Sequence, residues 1–411
     1  MKTLCSLACT LLIAAVGRAD EPSQITPEQQ EKIQALIKDL ASKDTETRLT
    51  AITALAEFGP LAGKAVPALV DALKDKNEDL RLNAAITLGK IGKEAVTPVA
   101  KLLGGDDMDT RFYALAALGW IGPAAKATAP QVLQALGDKN DNIRFKAAFA
   151  LGRIGVDPKV AIKPLLKLLA EGSAEVRGAA GDALGQFKAA AVPALIEAVQ
   201  DDLVPMKIEA ALALGQIGPE AKAAVAALKP AALDKSDALA EAALRALVKI
   251  GKEATPAVRE ALTDERSDMR RRAVATMEKI GASAAPFLAD VLTAKALEAR
   301  RDAAATLVAL NVKDGAIIPG LTEALKDKDR DVRKYAMQAL RRVAFAAKGA
   351  VPNLLLLLKE RDTETRLLAL GVLREIPGES EAIVIAVRPL LNDQDENVRK
   401  LAMEVLAFQG R

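Results

Sequence analysis

The sequence contains no histidine, and its two cysteines, Cys5 and Cys9, both lie within the first ten of its 411 residues. The lack of histidine excludes histidine general bases, histidine-dependent triads, histidine-ligated metal centres and histidine pH switches. Carboxylates, lysine, tyrosine and hydroxyl groups are the side chains that remain for catalysis. We therefore predict neither a cofactor nor a metal site.

Aromatic residues are also scarce, at 3% of the chain, although hydrophobic residues make up 51%. Five of the eleven aromatic side chains fall between residues 112 and 149. Length alone predicts two or three ordinary domains, but a repeated sequence pattern replaces that expectation.

The first 19 residues have the pattern of a secretory signal peptide. Lys2 precedes the apolar stretch 4–16, and the small residues Gly17 and Ala19 follow it. A charged region, a short apolar region and small residues in this order are typical of a segment that is removed on export. An uncleaved membrane anchor is the alternative, although thirteen residues are fewer than the roughly 20 that span a bilayer.

Cleavage after residue 19 leaves a mature chain, residues 20–411, without cysteine. Its formal net charge is +1 rather than +3, because Lys2 and Arg18 are lost. The chain has no Asn-X-Ser/Thr sequon, which agrees with a bacterial exported protein. We expect a periplasmic or extracellular location and no membrane contact after cleavage.

The rest of the chain consists of one unit repeated twelve times. The segment Leu80 to Gly92 recurs as Ile143 to Gly155, and a basic position recurs every 30 or 33 residues. We call this position the column; ten of its twelve residues are arginine. The column residues are Arg48, Arg81, Arg111, Arg144, Arg177, Lys207, Ala240, Arg270, Arg300, Arg333, Arg366 and Arg399.

Each repeat predicts two helices. The first helix begins near a proline such as Pro67 or Pro164, where the missing N–H costs nothing. The second carries the column residue and ends at a glycine such as Gly92, which we expect to adopt the αL conformation. Pro230 and Pro389 come four residues late, inside their first helices, so a kink or a late helix start is expected there. One repeat cannot bury its apolar face, so neighbours must stack, and we predict a continuous solenoid over residues 20–411.

The phrase Val-Arg-x-x-Ala-Ala-x-Ala-Leu-Gly-x-Ile-Gly, followed by Ala-Val-Pro-x-Leu, resembles the HEAT-like repeats of the phycobilisome-lyase type. The resemblance covers about residues 25–411. It implies an all-α fold, an ARM/HEAT-like α-α superhelix of two-helix repeats. Artificial binders built on similar repeats bind their targets on the concave surface.

The column itself predicts a structural role. An acid precedes it by six residues in nine repeats, as Asp75 precedes Arg81, and the resemblance implies an acid–arginine ladder between neighbours. Turns such as Asp75-Lys76-Asn77-Glu78-Asp79 imitate the start of a calcium loop, but an apolar residue stands where that loop needs glycine. Capping of the next helix explains these residues better.

The variable positions of the second helix predict a binding surface. Positions one, five and nine after the column share one helical face, and there repeats two to four carry large apolar residues. Exposed clusters of Trp and Phe mark binding surfaces; the alternative is that neighbouring repeats bury them. These candidate residues are Leu82, Ile86, Phe112, Trp120, Phe145 and Phe149.

Farther along, the same face becomes basic in repeats seven to ten. Clustered cations on a concave wall bind carboxylates, sulfates or phosphates; the alternative is a solvated face balanced by acids. The candidate residues are Arg245, Arg271, Arg301, Lys334 and Arg342.

We therefore predict a non-catalytic exported scaffold that binds a protein or peptide in its concave groove. The alternative partner is an acidic polymer, bound by the basic repeats. Aromatics do not interleave the basic residues, which argues against nucleic acid. Deoxyhypusine hydroxylases and phycobilin lyases have similar repeats and provide remote enzymatic alternatives. The former bind iron through His-Glu pairs, which this chain lacks, and the latter act in a compartment that a signal peptide contradicts.

Overall fold

The computed structural model describes residues 25–378 and 380–409, which contain α-helices and short 3-10 turns but no strand. The fold is thus all-α, of the predicted superhelix class. The predicted signal peptide, residues 1–19, lies outside the described residues. None of the described helices is long and apolar enough to span a bilayer.

The helices follow one another in pairs that match the predicted repeats. The first four pairs are α1 (Pro27–Asp39) with α2 (Thr45–Phe58), α3 (Val66–Ala72) with α4 (Glu78–Ile91), α5 (Val96–Lys101) with α6 (Met108–Ile121), and α7 (Ala129–Ala135) with α8 (Asp141–Arg153). The next pairs are α9 (Pro158–Glu171) with α10 (Ala174–Gln186), α11 (Val192–Val199) with α12 (Val204–Ile217), α13 (Val225–Ala232) with α14 (Asp237–Ile250), and α15 (Thr255–Leu262) with α16 (Ser267–Ile280). The last pairs are α17 (Ala285–Val291) with α18 (Leu297–Ala309), α19 (Ile318–Ala324) with α20 (Arg330–Leu340), α21 (Val351–Leu357) with α22 (Thr363–Leu373), and α23 (Ser380–Val387) with α24 (Glu396–Gln409).

The chain divides into two compact units within α9. Unit 1 ends at Pro164, and unit 2 begins at Leu165. Each unit is a stack of helix pairs of the same kind. Continuity of the solenoid between them remains a prediction.

Small and aliphatic residues of the second helices form the layer between neighbouring repeats. Ala84, Ala85 and Leu88 of α4 are completely buried, and the Thr87 hydroxyl donates a hydrogen bond to the Ile52 carbonyl of α2 at 3.3 Å. Complete burial of one leucine stabilises a fold by about 1.5–3 kcal/mol. The layer is therefore the main source of stability in each stack.

Acidic and amide residues of the turns cap the second helices. Asn77 accepts a hydrogen bond from the Leu80 N–H at 3.0 Å, while Asp75 accepts one from the Asn77 N–H at 2.8 Å. Asp329 and Asp327 form the equivalent bonds at the start of α20. These side-chain oxygens thus satisfy backbone donors that the helix leaves unpaired, and the capping interpretation is confirmed.

The glycines that end the second helices adopt an unexpected conformation. Gly92 has φ 82° and ψ −129°, and Gly251 has φ 96° and ψ −145°. The positive φ is as predicted, but the αL conformation, which requires a positive ψ, is wrong. The observed region is one that only glycine enters readily, and it turns the chain directly into the 3-10 turn Lys93–Ala95 before α5.

Proline marks the start of a first helix in most repeats, but not in all. Pro67 lies in the first turn of α3, as predicted. Pro164 lies inside α9 because that helix begins earlier, at Pro158. Pro230 lies inside its first helix, α13, as predicted, and of the two expected consequences the late start does not occur. Pro389 follows α23 within the 3-10 turn Arg388–Asn392.

Several column arginines connect their repeat to the next. Arg48 lies 3.1 Å from the Asp75 carboxylate, which belongs to the following repeat. Arg366 and Asp393 lie 2.9 Å apart with side chains 11% and 9% exposed. The column arginine also donates to carbonyls of its own turn, as Arg81 does to Asp75 and Lys76 at 2.8 and 3.0 Å. The predicted acid–arginine ladder is therefore confirmed for four column residues, where it has a structural role: Arg48, Arg111, Arg300 and Arg366.

Candidate functional site

Solvent reaches the variable face of the second helices, defined as positions one, five and nine after the column. Ala116 is the only one of these residues of α4, α6 and α8 that is buried. The others are half-buried or exposed: Leu82, Ile86, Lys90, Phe112, Trp120, Phe145, Phe149 and Arg153. Neighbouring repeats thus cover part of each large apolar side chain and leave the rest accessible.

The six predicted apolar residues lie on three consecutive second helices of unit 1. Leu82 and Ile86 lie on α4, Phe112 and Trp120 on α6, and Phe145 and Phe149 on α8; all six are half-buried. We call this set the apolar cluster.

Glycines allow the aromatic members of the apolar cluster to lie close to the preceding helix. A Cβ on Gly89 would stand 2.5 Å from the Trp120 Cβ, and one on Gly119 would stand 2.7 Å from the Phe149 ring. The rings of Trp120 and Phe149 meet edge to face, with their centroids 6.5 Å apart. Such pairs contribute about 0.5–1.5 kcal/mol beyond burial, so these side chains are held in fixed positions.

Lys146 of α8, two positions after the column, is a member of this surface that sequence reasoning missed. Its ammonium lies 4.8 Å from the centroid of Phe112 and 5.2 Å from those of Phe145 and Phe149. The residue is only 9% exposed. Three rings around one ammonium are a cation–π arrangement, which joins α6 to α8. In the sequence, Phe145 one position before Lys146 and Phe149 three positions after it could have indicated this arrangement.

Tyr113 lies behind the apolar cluster rather than on it. Its ring packs edge to face on Phe112 at 5.1 Å, and its hydroxyl donates to the Glu78 carboxylate at 3.3 Å. Burial raises the pKa of Tyr113 to about 12, and the Glu78 carboxylate acts in the same direction. The phenol therefore stays neutral at physiological pH and has a positioning role.

In unit 2, the variable face of repeat six carries two further apolar residues. Ile208 is half-buried, and Leu212 is 38% exposed. Both lie on α12.

The predicted basic residues of repeats seven to ten are mostly paired with acids. Arg245 and Lys279 both bind the Glu241 carboxylate, at 2.9 and 2.7 Å, and hydrogen bonds from these two cations, that from Lys279 first, lower the pKa of Glu241. Lys334 forms an ion pair with Glu364 of α22. Arg245 is thus partly neutralised within its own helix, whereas Lys279 and Lys334 are partly neutralised by a neighbouring repeat.

Arg301 lies close to two carboxylates of the next repeat. It binds the Asp329 carboxylate and lies 3.8 Å from that of Asp331. The hydrogen bond from Arg301 lowers the pKa of Asp329 to about 2. Because Asp329 also caps α20, Arg301 is engaged with the structural turn of the next repeat.

Arg271 and Arg342 are the predicted basic residues that remain exposed. Arg271 donates to the Ser267 carbonyl of its own helix at 3.2 Å. Within residues 25–378 and 380–409, no carboxylate lies within ion-pair distance of either guanidinium. The open positive charge of this face is therefore confined to separate positions.

A groove of about 230 Å³ lies between α14 and α16 in unit 2. Its walls include Asp237 and Glu241 as well as Arg272 and Lys279. Arg272 pairs with Asp237 across it. The groove thus presents both signs of charge. In the described part of the chain, no group of three or more acidic residues is arranged to hold a metal ion.

A sequence profile described as HEAT repeats matches residues 33–110, 96–171, 162–248 and 318–409, which together are well over half of the chain. No curated protein matches the chain significantly.

Similar solved structures include the karyopherin Kap121p, with 12% identity and a TM-score of 0.53 over 93% of this chain. A mutant of Kap121p has 11% identity and a TM-score of 0.51, also over 93% of this chain. The chain spans 50% of the length of each. An engineered protein matches with 21% identity and a TM-score of 0.33, over 92% of this chain and 99% of its own.

At these identities the karyopherin structures indicate a common fold and nothing more about the chemistry. The profile matches extend over residues that form the paired helices described above. The chain therefore belongs to the HEAT-repeat family.

Proposed function

We propose that the protein is a non-catalytic scaffold that binds a protein or peptide through the apolar cluster of repeats two to four. The observation that supports this most strongly is the partial exposure of the six side chains of the cluster. They lie on the variable face of the second helices of three consecutive repeats, and none is fully buried. Core residues of the same helices, such as Leu88 and Leu115, are completely buried. The cluster is thus an addition to the core rather than part of it.

The residue types of the apolar cluster suit the recognition of a protein or peptide. Half-buried Trp and Phe side chains lose little conformational freedom on binding, since packing already fixes them. They also supply large contact areas, and Trp is among the residues that most often dominate interface energies. The edge-to-face contact of Trp120 with Phe149 is a preorganised anchor of this kind.

A scaffold without catalysis agrees with the inventory of side chains. The chain has no histidine. Asp75 and Asp393, which precede column residues by six positions, are engaged in caps and in the ladder. This chain therefore lacks the histidine ligands of an iron site of the deoxyhypusine-hydroxylase type. The repeat phrase further supports the phycobilisome-lyase subtype of HEAT-like repeats as the proposed subfamily.

We place the scaffold outside the bacterial cytoplasm, in the periplasm or the extracellular space. The support for this proposal is the signal-peptide pattern of residues 1–19. N-terminal analysis of protein from the native cell tests it: a chain that begins at Asp20 is expected, whereas a chain that retains its first residues contradicts cleavage.

Affinity capture from native envelope extract tests the binding role. We expect the wild type and the control Ile385→Ala to retain the same protein, since Ile385 is exposed far along the sequence in α23. Phe145→Ala/Phe149→Ala is expected to lose it while keeping a native circular dichroism spectrum. Equal capture by this folded variant contradicts the proposed surface.

The second candidate function is binding of an acidic polymer by repeats seven to ten. The exposed guanidinium groups of Arg271 and Arg342 favour it, whereas the pairing of Arg245, Arg301 and Lys334 with acids opposes it. Arg271→Ala/Arg342→Ala should lower the salt concentration needed for elution from an anionic column if this function is real. Unchanged elution dismisses it.

A further inference from the structure

The last turns of three neighbouring second helices place Trp120 between two cations. Lys90, Trp120 and Arg153 each stand nine positions after the column, at the ends of α4, α6 and α8. The close approach of Gly89 to the Trp120 Cβ brings the end of α4 against α6. The edge-to-face contact of Trp120 with Phe149 joins α6 to α8. We call these three residues the basic rim of the apolar cluster.

Both cations of the basic rim are available to a partner. The Arg153 guanidinium lies 5.0 Å from the centroid of the Phe149 ring, and within the described residues it has no carboxylate at ion-pair distance. Lys90 has one carboxylate, that of Glu57, at 3.8 Å with a side chain that is 78% exposed. Exposed pairs of this kind contribute only about 0.2–1 kcal/mol, so a better-placed carboxylate can replace Glu57.

The opposite side of the apolar cluster is different, because three of its four first-turn acids already have partners. At the starts of the same helices, Asp109 pairs with Arg81 at 3.0 Å, Asp141 pairs with Arg144, and Glu78 accepts the Tyr113 hydroxyl. The fourth acid, Asp79 of α4, is exposed, so the open negative charge of these first turns is confined to one position. Favourable helix dipoles explain a cation at a helix end, but they do not explain a half-buried tryptophan between two such cations.

We infer that the partner presents an acidic apolar segment: a peptide whose Leu or Phe side chains pack on Trp120 and Phe149 while neighbouring Asp or Glu carboxylates bind Lys90 and Arg153. This inference rests on the proposed function and specifies the chemistry of the partner. Arg153 is held in place by the Phe149 ring, so less side-chain freedom is lost when a carboxylate binds it. Charge complementarity then sets the orientation of the peptide on the apolar surface.

Trp120 is the only tryptophan of the chain, so its fluorescence reports on this surface alone. The probes are two synthetic peptides without Trp or Tyr that carry the same Leu and Phe residues, one with Glu and the other with Lys at every polar position. We expect the Glu peptide to shift the emission of the full-length protein saturably and the Lys peptide to bind about tenfold more weakly. Lys90→Glu/Arg153→Glu should reverse this order. The matched control Lys249→Glu, the same charge reversal at position nine of α14, should leave it unchanged.

Equal affinity for both peptides overturns the inference but leaves apolar docking, and with it the proposed function, intact. No response to either peptide at millimolar concentration also overturns the inference; capture by the Phe145→Ala/Phe149→Ala variant then decides the proposed function separately. A polyglutamate peptide without apolar residues that binds as tightly as the Glu peptide would identify a simple anion site and contradict the acidic apolar segment.

Discussion

The Trp120 ring meets the Phe149 ring of the next repeat edge to face, at a centroid distance of 6.5 Å and an interplanar angle of 78°. Both side chains are half-buried, so they contribute to stability as well as to the exposed surface. Truncation of either side chain should therefore cause a moderate loss of stability.

We predict that Trp120→Ala and Phe149→Ala each lower the unfolding free energy by about 1–2 kcal/mol, less than the 3–5 kcal/mol typical of a fully buried aromatic. The double variant should show a coupling energy of about 0.5–1.5 kcal/mol, since one edge-to-face contact is shared. Urea denaturation of the wild type and the three variants measures this cycle. A coupling energy near zero would mean that the two rings are independent.

The close approach at Gly89 gives a second prediction. Alanine in a helix interior is normally more favourable than glycine by about 1 kcal/mol, but a Cβ here would stand 2.5 Å from the Trp120 Cβ. We expect Gly89→Ala to destabilise the protein by about 1–3 kcal/mol through overpacking and to change the Trp120 emission.

Gly178 is the matched control for Gly89, because it lies inside α10 and no atom stands within 4 Å of the position that a Cβ would occupy there. Gly178→Ala should raise the unfolding free energy by up to about 1 kcal/mol. If both substitutions stabilise the protein, the contact between α4 and α6 is looser than described.

The contacts of Arg366 predict that lysine cannot fully replace this column arginine. Arg366 binds the Asp393 carboxylate at 2.9 Å and donates to the Glu360 and Arg361 carbonyls at 3.0 and 2.9 Å. A lysine ammonium cannot reproduce this planar arrangement of donors, so Arg366→Lys should cost about 1–3 kcal/mol. Thermal unfolding measures this loss, with Lys74→Ala as the control because it removes only an exposed ion pair with Asp71. Similar decreases of the melting temperature in both variants would contradict the structural role of the ladder.

Acid should weaken unit 2 through Asp329. Its pKa is lowered to about 2 by the Arg301 hydrogen bond, so the folded state binds this proton less tightly than the unfolded state does. The resulting stability is present above the ordinary Asp pKa and is lost as the pH falls from about 5 towards 2. Asp329→Asn should flatten the decline of unfolding free energy in this range. An unchanged slope would show that Asp329 does not contribute to it.

Much of the fold could be predicted from the sequence because the repeat imposes one local rule many times. The column spacing predicted the helix pairs, and the acid six residues earlier predicted the ladder. The glycine conformation was less accessible: the sequence indicates a positive φ at Gly92, whereas its ψ depends on the following 3-10 turn. Pro164 was misplaced because Pro158, outside the proline register, starts the helix.

The candidate surface was predicted in position but not in detail. Periodicity placed Trp120 and Phe149 on one face, yet their degree of burial depends on how closely α4, α6 and α8 approach at Gly89 and Gly119. Pairing of cations with acids of the next repeat, as between Lys334 and Glu364, depends on the same spacing.

The most direct test of the apolar cluster as the partner-binding surface is photocrosslinking in the native cell. A benzophenone amino acid is placed at Phe145, and a matched probe is placed at Val160, which is 50% exposed on the first helix α9 of the next repeat. We predict one discrete crosslinked product from position 145 and none from position 160. Equal products from both positions, or none from position 145 in a folded and correctly located protein, would contradict the claim.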